Sequence, residues 1–180
     1  DASTPDTTIA VAEPNPTNDP TGDFLFTASE AVSRYECRVD SGAFAACAAS
    51  WSTSSLADGS HTLLVRAVDL AGNVDPTPAT HTWVVDTTAP DTTIPTTEPS
   101  PTRDTTGDFV FASNEAGATF ECRVDGAPFA VCPATFSTAA LGDGAHVLDV
   151  RALDPAGNVD PTPATYTWTL DTAAPDTSIT

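Results

Sequence analysis

Along the first half of the chain, short runs place an apolar residue at every second position, and Pro, Gly, Asp and Asn separate the runs. Such alternation sends successive side chains to opposite faces of a strand. No stretch sustains a helical period. The pattern predicts seven short strands. The first runs near Thr7 to Ala12 and stops at "EPNPT". The second, Asp23 to Ser29, points Phe24 and Phe26 inward. The third, Ser33 to Asp40, puts Tyr35, Cys37 and Val39 on one face and Glu36, Arg38 and Asp40 on the other. A turn at "DSGA" leads to a fourth strand through Phe44 and Cys47. Trp51 to Ser54 forms the fifth, His61 to Asp69 the sixth and Ala79 to Asp86 the seventh, with Trp83 and Val85 facing in. Phe44 and Cys47 have opposite parity yet both read as interior, so a bulge is expected between Ala45 and Ala49. The outward residues Glu36, Arg38 and Arg66 are expected to form a cross-strand charge ladder.

The second half repeats the first without a gap at an offset of 85 residues. Residues 6–90 form one repeat and 91–175 the next; residues 1–5 match the end of a linker and 176–180 open a third copy. Residue differences between the copies assign faces. Leu63, Val65 and Ala67 return as Leu148, Val150 and Ala152, which marks an interior row. Leu64 becomes Asp149, so its row must be wet. The counterpart of the first strand contains Pro95, which suits a sheet edge. The string "AGNVDPTPAT" occurs unchanged at 71–80 and 156–165, each copy preceded by an Asp, Asp69 or Asp154.

Each repeat is small enough for its core to be marginal. Each also carries two cysteines ten positions apart, Cys37 with Cys47 and Cys122 with Cys132, and no others. The even count and the absence of CxxC fit one disulfide per repeat, across one hairpin, and an oxidising compartment. The net charge of −19 comes from 25 acidic residues against six arginines. That balance argues against nucleic acid and anionic membranes as partners. No apolar run long enough for direct membrane insertion is present. The acids also offer many oxygen ligands to a hard cation such as Ca²⁺.

Seven antiparallel strands with a buried Trp predict an all-β chain: two tandem seven-stranded sandwiches of immunoglobulin or fibronectin type III style, each with one hairpin disulfide. The elements "LADGSH", "AVDLAGN" and "VDTTAP", with "LGDGAH", "ALDPAGN" and "LDTAAP" in the second copy, resemble the tandem bacterial immunoglobulin-like repeats of large cell-surface proteins and adhesins. The resemblance covers essentially the whole chain. It implies extracellular stalk modules that hold a binding tip away from the cell. It also implies Ca²⁺ at domain junctions in several members, whereas the "ECRVD…C" cysteines occur only in a subset.

In this topology the loop before the last strand and the incoming linker meet at one end of a domain. Asp154, Asn158 and Asp160 with Asp86 and Asp91, and with Asp58 or Asp40 from the turns of the first repeat, are therefore candidate Ca²⁺ ligands. Asp1, Asp6, Asp69, Asn73 and Asp75 form the equivalent N-terminal set. The same residues also suffice for a turn alone: Asp69 can cap it, and Gly72 or Asn73 can take the left-handed conformation. Catalysis lacks a motif. His61 and His146 start a strand, His81 becomes Tyr166, and no HExxH, GxSxG or phosphate-cradling loop occurs. The expectation is a non-enzymatic stalk whose partners are neighbouring repeats of the same chain and an unknown surface ligand. A laterally packed filament and a carbohydrate- or protein-binding module are the alternatives. An exposed aromatic patch around Trp51 would favour binding.

Overall fold

A computed structural model describes residues 2–178. The chain divides into two compact units, 1–88 and 89–180. Each unit is a sandwich of two antiparallel sheets. In the first, β1 (Thr7–Val11), β2 (Asp23–Ala28) and β5 (Ser50–Ser52) form a three-stranded sheet in the order β1-β2-β5. β3 (Val32–Val39), β4 (Ala45–Cys47), β6 (Gly59–Asp69) and β7 (Ala79–Val85) form the facing sheet in the order β4-β3-β6-β7. The second unit repeats this plan. β8 (Thr92–Thr96), β9 (Asp108–Ser113) and β12 (Thr135–Ser137) make the small sheet. β10 (Thr119–Val124), β11 (Ala130–Cys132), β13 (Gly144–Leu153) and β14 (Ala164–Leu170) make the large one. This is the two-sheet immunoglobulin/fibronectin type III architecture expected from the alternation.

The interior rows meet between the sheets. Phe24, Phe26, Tyr35, Cys37, Leu63, Val65, Ala67, Trp83 and Val85 form the first core. Trp83 is fully buried, and the Phe24 ring meets it edge-on at 5.2 Å. Phe109 meets Trp168 in the same way at 5.2 Å. Gly22 and Gly107 permit that approach: a Cβ at either would lie 2.8 Å from the phenyl ring and 3.0 or 3.1 Å from the indole. Cys37–Cys47 and Cys122–Cys132 each bridge two neighbouring strands, with Cα atoms 5.8 and 6.0 Å apart.

Two expectations change. The bulge between Ala45 and Ala49 is not there: β4 pairs regularly with β3 through Tyr35↔Cys47, Glu36↔Ala46 and Cys37↔Ala45. Cys47 turns inward, so strict alternation turns Phe44 outward. Its ring is covered there by the guanidinium groups of Arg38 and Arg66, at 4.9 and 4.1 Å from the ring centre. Arginine stems and planes over an aromatic ring satisfy it outside the core. Register shifts occur elsewhere, between Ile9 and Val11 and between Val32 and Arg34. The charge ladder also differs. Glu36 takes Arg34 and Arg66, both at 2.8 Å, while Arg38 lies opposite Leu64 and joins no ion pair among the described residues. Trp51 is not a surface aromatic: it is half-buried and packs on Phe24 and Phe26, with ring centres 6.3 and 6.5 Å apart.

Candidate functional site

The duplicated string lies between β6 and β7, and again between β13 and β14. Its first task is local. Asp69 accepts hydrogen bonds from the Asn73 backbone N–H (2.8 Å) and side-chain amide (2.7 Å), while its own N–H donates to the Asn73 carbonyl (3.0 Å). Gly72 sits at φ 95°, where a side chain would be strained. The Asn73 side chain, and then its backbone N–H, hold the Asp69 carboxyl below its ordinary pKa. Asp154 closes the second turn through Gly157 N–H (2.7 Å), Asn158 N–H (2.8 Å) and the Asn158 amide (2.7 Å).

The second task is distant. Asp75 is 2 % exposed, and its carboxylate receives Thr7 N–H from the first strand at 2.9 Å. Its other oxygen receives Thr77 N–H (2.8 Å) and hydroxyl (3.1 Å). Thr7 continues the network, since its hydroxyl oxygen accepts Ala67 N–H at 2.8 Å. Asp160, Thr92, Thr162 and Ala152 reproduce every link. Burial works to raise the pKa of Asp75 and Asp160, but the bonds from Thr7 and Thr77, or Thr92 and Thr162, outweigh it and hold the carboxyls low.

The remaining predicted ligands fall as follows. Asp58 accepts from Thr87 N–H and hydroxyl, at 3.1 and 2.7 Å, and from the Thr88 hydroxyl at 3.1 Å. Asp86 caps Thr88 N–H at 3.1 Å. The Asp6 N–H donates to the Ser29 hydroxyl and the Asp91 N–H to the Asn114 side-chain oxygen, while their carbonyls accept the Ser29 and Asn114 N–H groups. Asp40 has left-handed backbone at φ 53° and accepts Thr62 N–H. Asp1 lies outside the described residues. Asp154, Asn158 and Asp160 thus share one loop, but the two carboxylates serve different partners. Each carboxylate takes two donors on Oδ1 and one on Oδ2, so each keeps one lone-pair position on Oδ2.

Three groups escaped the sequence reading. Glu13, in "EPNPT", is buried and joins the Thr17 hydroxyl (3.0 Å) to Asp23 N–H (2.9 Å). Glu98 in "EPSPT" does the same with Thr102 and Asp108. The letters kept in both strings carried that signal. The second group is His61, whose Nδ1 faces Asp40 at 2.9 Å and whose Nε2 faces the Ala57 carbonyl at 2.8 Å. Both neighbours are acceptors, so the ring is set up to be an imidazolium, and both bonds raise its pKa, with Ala57 first. His146 repeats this with Asp125 and Gly142. The third is His81: its residue type is not repeated, but its bond is. His81 Nε2 donates to the Glu13 carbonyl at 3.0 Å, and the Tyr166 hydroxyl donates to the Glu98 carbonyl at 2.6 Å.

Among the described residues, no helix is long and apolar enough to cross a membrane. No family model matches the chain, and no curated protein matches it. Among solved structures, it is similar to the fibronectin(III)-like modules of Clostridium thermocellum CbhA, with 15 % identity, a TM-score of 0.58, and coverage of 92 % of this chain and 94 % of that one. A second similar structure concerns host cell surface retention of a 1.5-MDa bacterial ice-binding adhesin; identity is 18 %, the TM-score 0.52, and coverage 97 % and 67 %. At these identities the likeness shows a shared fold: tandem immunoglobulin/fibronectin type III sandwiches.

Proposed function

We propose that the two repeats are structural spacer modules of an extracellular bacterial surface protein, built to carry tension along a tandem array. The observation behind this reading is where the duplicated polar residues are used. A chain pulled by its ends loads the first and last strands of each module. Both are fastened within the module: the segment after the first strand to the last strand, and the first strand to the loop before the last. Thr17 pairs in parallel with Val85 through Thr17 N–H to Val84 O (3.0 Å) and Asp86 N–H to Thr17 O (2.9 Å). The Asn15 side chain accepts Val84 N–H at 3.0 Å, and Asp75 holds Thr7. Parallel neighbours pulled in opposite directions must shear several bonds together rather than open them singly. The disulfides support an oxidising location, and the resemblance to adhesin repeats supports the cell surface.

Single-molecule stretching of a tandem array tests this. Each module should unfold in one cooperative step, and Asp75→Ala or Asp160→Ala should lower the force of its own module. Reducing the disulfide should lengthen each step by roughly 30 Å, the extended span of the ten-residue loop less the distance the bridge already covers. Featureless extension at low force would sink the proposal. A Ca²⁺ role for Asp86, Asp91, Asp154, Asn158, Asp160 and Asp58 is tested by melting with Ca²⁺ and with EGTA. A higher transition in Ca²⁺ assigns the cation; coincident transitions leave these residues to the turns and linkers.

A further inference from the structure

The outer face of the large sheet differs between the modules at several positions, and one of them changes how an arginine is paired. In the second module Arg123 stands opposite Asp149, and its Nε–H donates to Asp149 Oδ2 at 2.8 Å. The Thr165 hydroxyl, on β14, donates to the other oxygen at 2.8 Å. Arg151 pairs with Glu121 at 2.7 Å. Two arginines and two carboxylates cancel. In the first module Arg38 stands opposite Leu64. Its Nε is buried without a hydrogen-bond partner, and among the described residues no carboxylate lies within ion-pair distance of it. Arg34, where the second module has Thr119, shares Glu36 with Arg66. That face carries three arginines against one glutamate, in a chain whose net charge is −19. The Thr80 hydroxyl, counterpart of Thr165, makes only a 3.5 Å contact with the Pro78 carbonyl.

The geometry points to an external carboxylate as the missing partner of Arg38, with an acidic, uronate-bearing polysaccharide as its source. Asp149 shows the arrangement the position accepts: a carboxylate between a guanidinium and a threonine hydroxyl. In the first module Arg38 Nε is buried, so the ligand meets the outer guanidinium nitrogens. Charge-assisted bonds to a guanidinium are the stronger kind. A row of hydroxyls lies beside the cation: Thr80 is exposed, and the Thr62 and Thr82 hydroxyls are 3.2 Å apart. A uronate chain presents both carboxylates and hydroxyls to such a flat face. A short one also brings fewer negative charges than a second copy of this chain, so it meets less long-range repulsion.

The test is titration of the two-module chain with a galacturonate oligomer, read by calorimetry and by the Arg38 Nε–H resonance. One oligomer should bind per chain, and binding should weaken as salt rises. Leu64→Asp supplies an internal carboxylate as in the second module; it should keep the fold and lower affinity at least about tenfold. Asp149→Leu, the reverse exchange, should create a second site. A bound oligomer that leaves Arg38 unmoved, or that binds Leu64→Asp as tightly, overturns the proposal. So does equal binding of a neutral galactose oligomer. Equal binding of a glutamate oligomer overturns the polysaccharide in favour of an acidic polypeptide. A salt-sensitive dimer in sedimentation that Leu64→Asp abolishes assigns the face to a second copy instead.

Discussion

The two modules are one design executed twice, and they differ mainly where the side chains are wet. The buried polar links are identical: Asp75 to Thr7 and Thr77 matches Asp160 to Thr92 and Thr162, and Glu13 matches Glu98. The outward positions drift, with Leu64 against Asp149 and Arg34 against Thr119. The buried carboxylate is costly to replace, because losing it strands the buried Thr7 or Thr92 N–H, whereas the exposed Thr77 and Thr162 can turn to water. A surface position loses at most a screened ion pair. His81 and Tyr166 show the intermediate case, where two chemically different rings deliver one hydrogen bond to the same carbonyl.

The largest effect should come from Asp75→Ala or Asp160→Ala, each costing its own module about 3 kcal/mol, read from the two transitions in calorimetry. Unequal costs would break the equivalence of the modules. Reducing a disulfide should remove about 2–3 kcal/mol from either module, from the entropy of freeing a ten-residue loop. Next come the exchanges that separate the modules. Asp149→Leu should destabilise the second by about 1 kcal/mol and Leu64→Asp should stabilise the first by up to about as much, measured in urea. If both shift the same way, the Arg123 pair is not what distinguishes the faces.

The smallest effect is the pH response, and it has two limbs. His61 and His146 have raised pKa values in the folded state. Their contribution is therefore complete below the unfolded value near 6.5 and disappears as pH climbs through the folded one. Asp75 and Asp160 have lowered values, so their contribution is complete above the unfolded value near 3.9 and is lost as pH falls through the folded one. His61→Gln with His146→Gln should flatten the neutral limb of a plot of melting temperature against pH and leave the acid limb. An unchanged neutral limb would show that the imidazolium pairs contribute nothing.

Local chemistry made much of this legible. Alternation located every strand within a few residues, because the side-chain period of a strand is a property of the backbone alone. The internal copy supplied the faces, since a position that changes from Leu to Asp cannot be interior. The cysteine spacing specified a hairpin bridge. The loop was only half legible. Asp69 closing onto Asn73 is a four-residue event that turn chemistry anticipates. Asp75 reaching Thr7 spans 68 residues and exists only once the two sheets close.

Phe44 makes the same point from the other side. Its hydrophobicity suggested the interior, but β4 keeps its register, and the cations on β3 and β6 cover the ring from outside. By itself, then, the sequence determined the strands, their faces, the disulfides and the duplication, all of which follow from spacing along the chain. Only the tertiary structure decided which carboxylate closes a turn, which one fastens the first strand, and which arginine of the first module's large sheet stands opposite a leucine. Those outcomes depend on groups brought together across the sandwich, where burial and geometry, not sequence distance, select the partner.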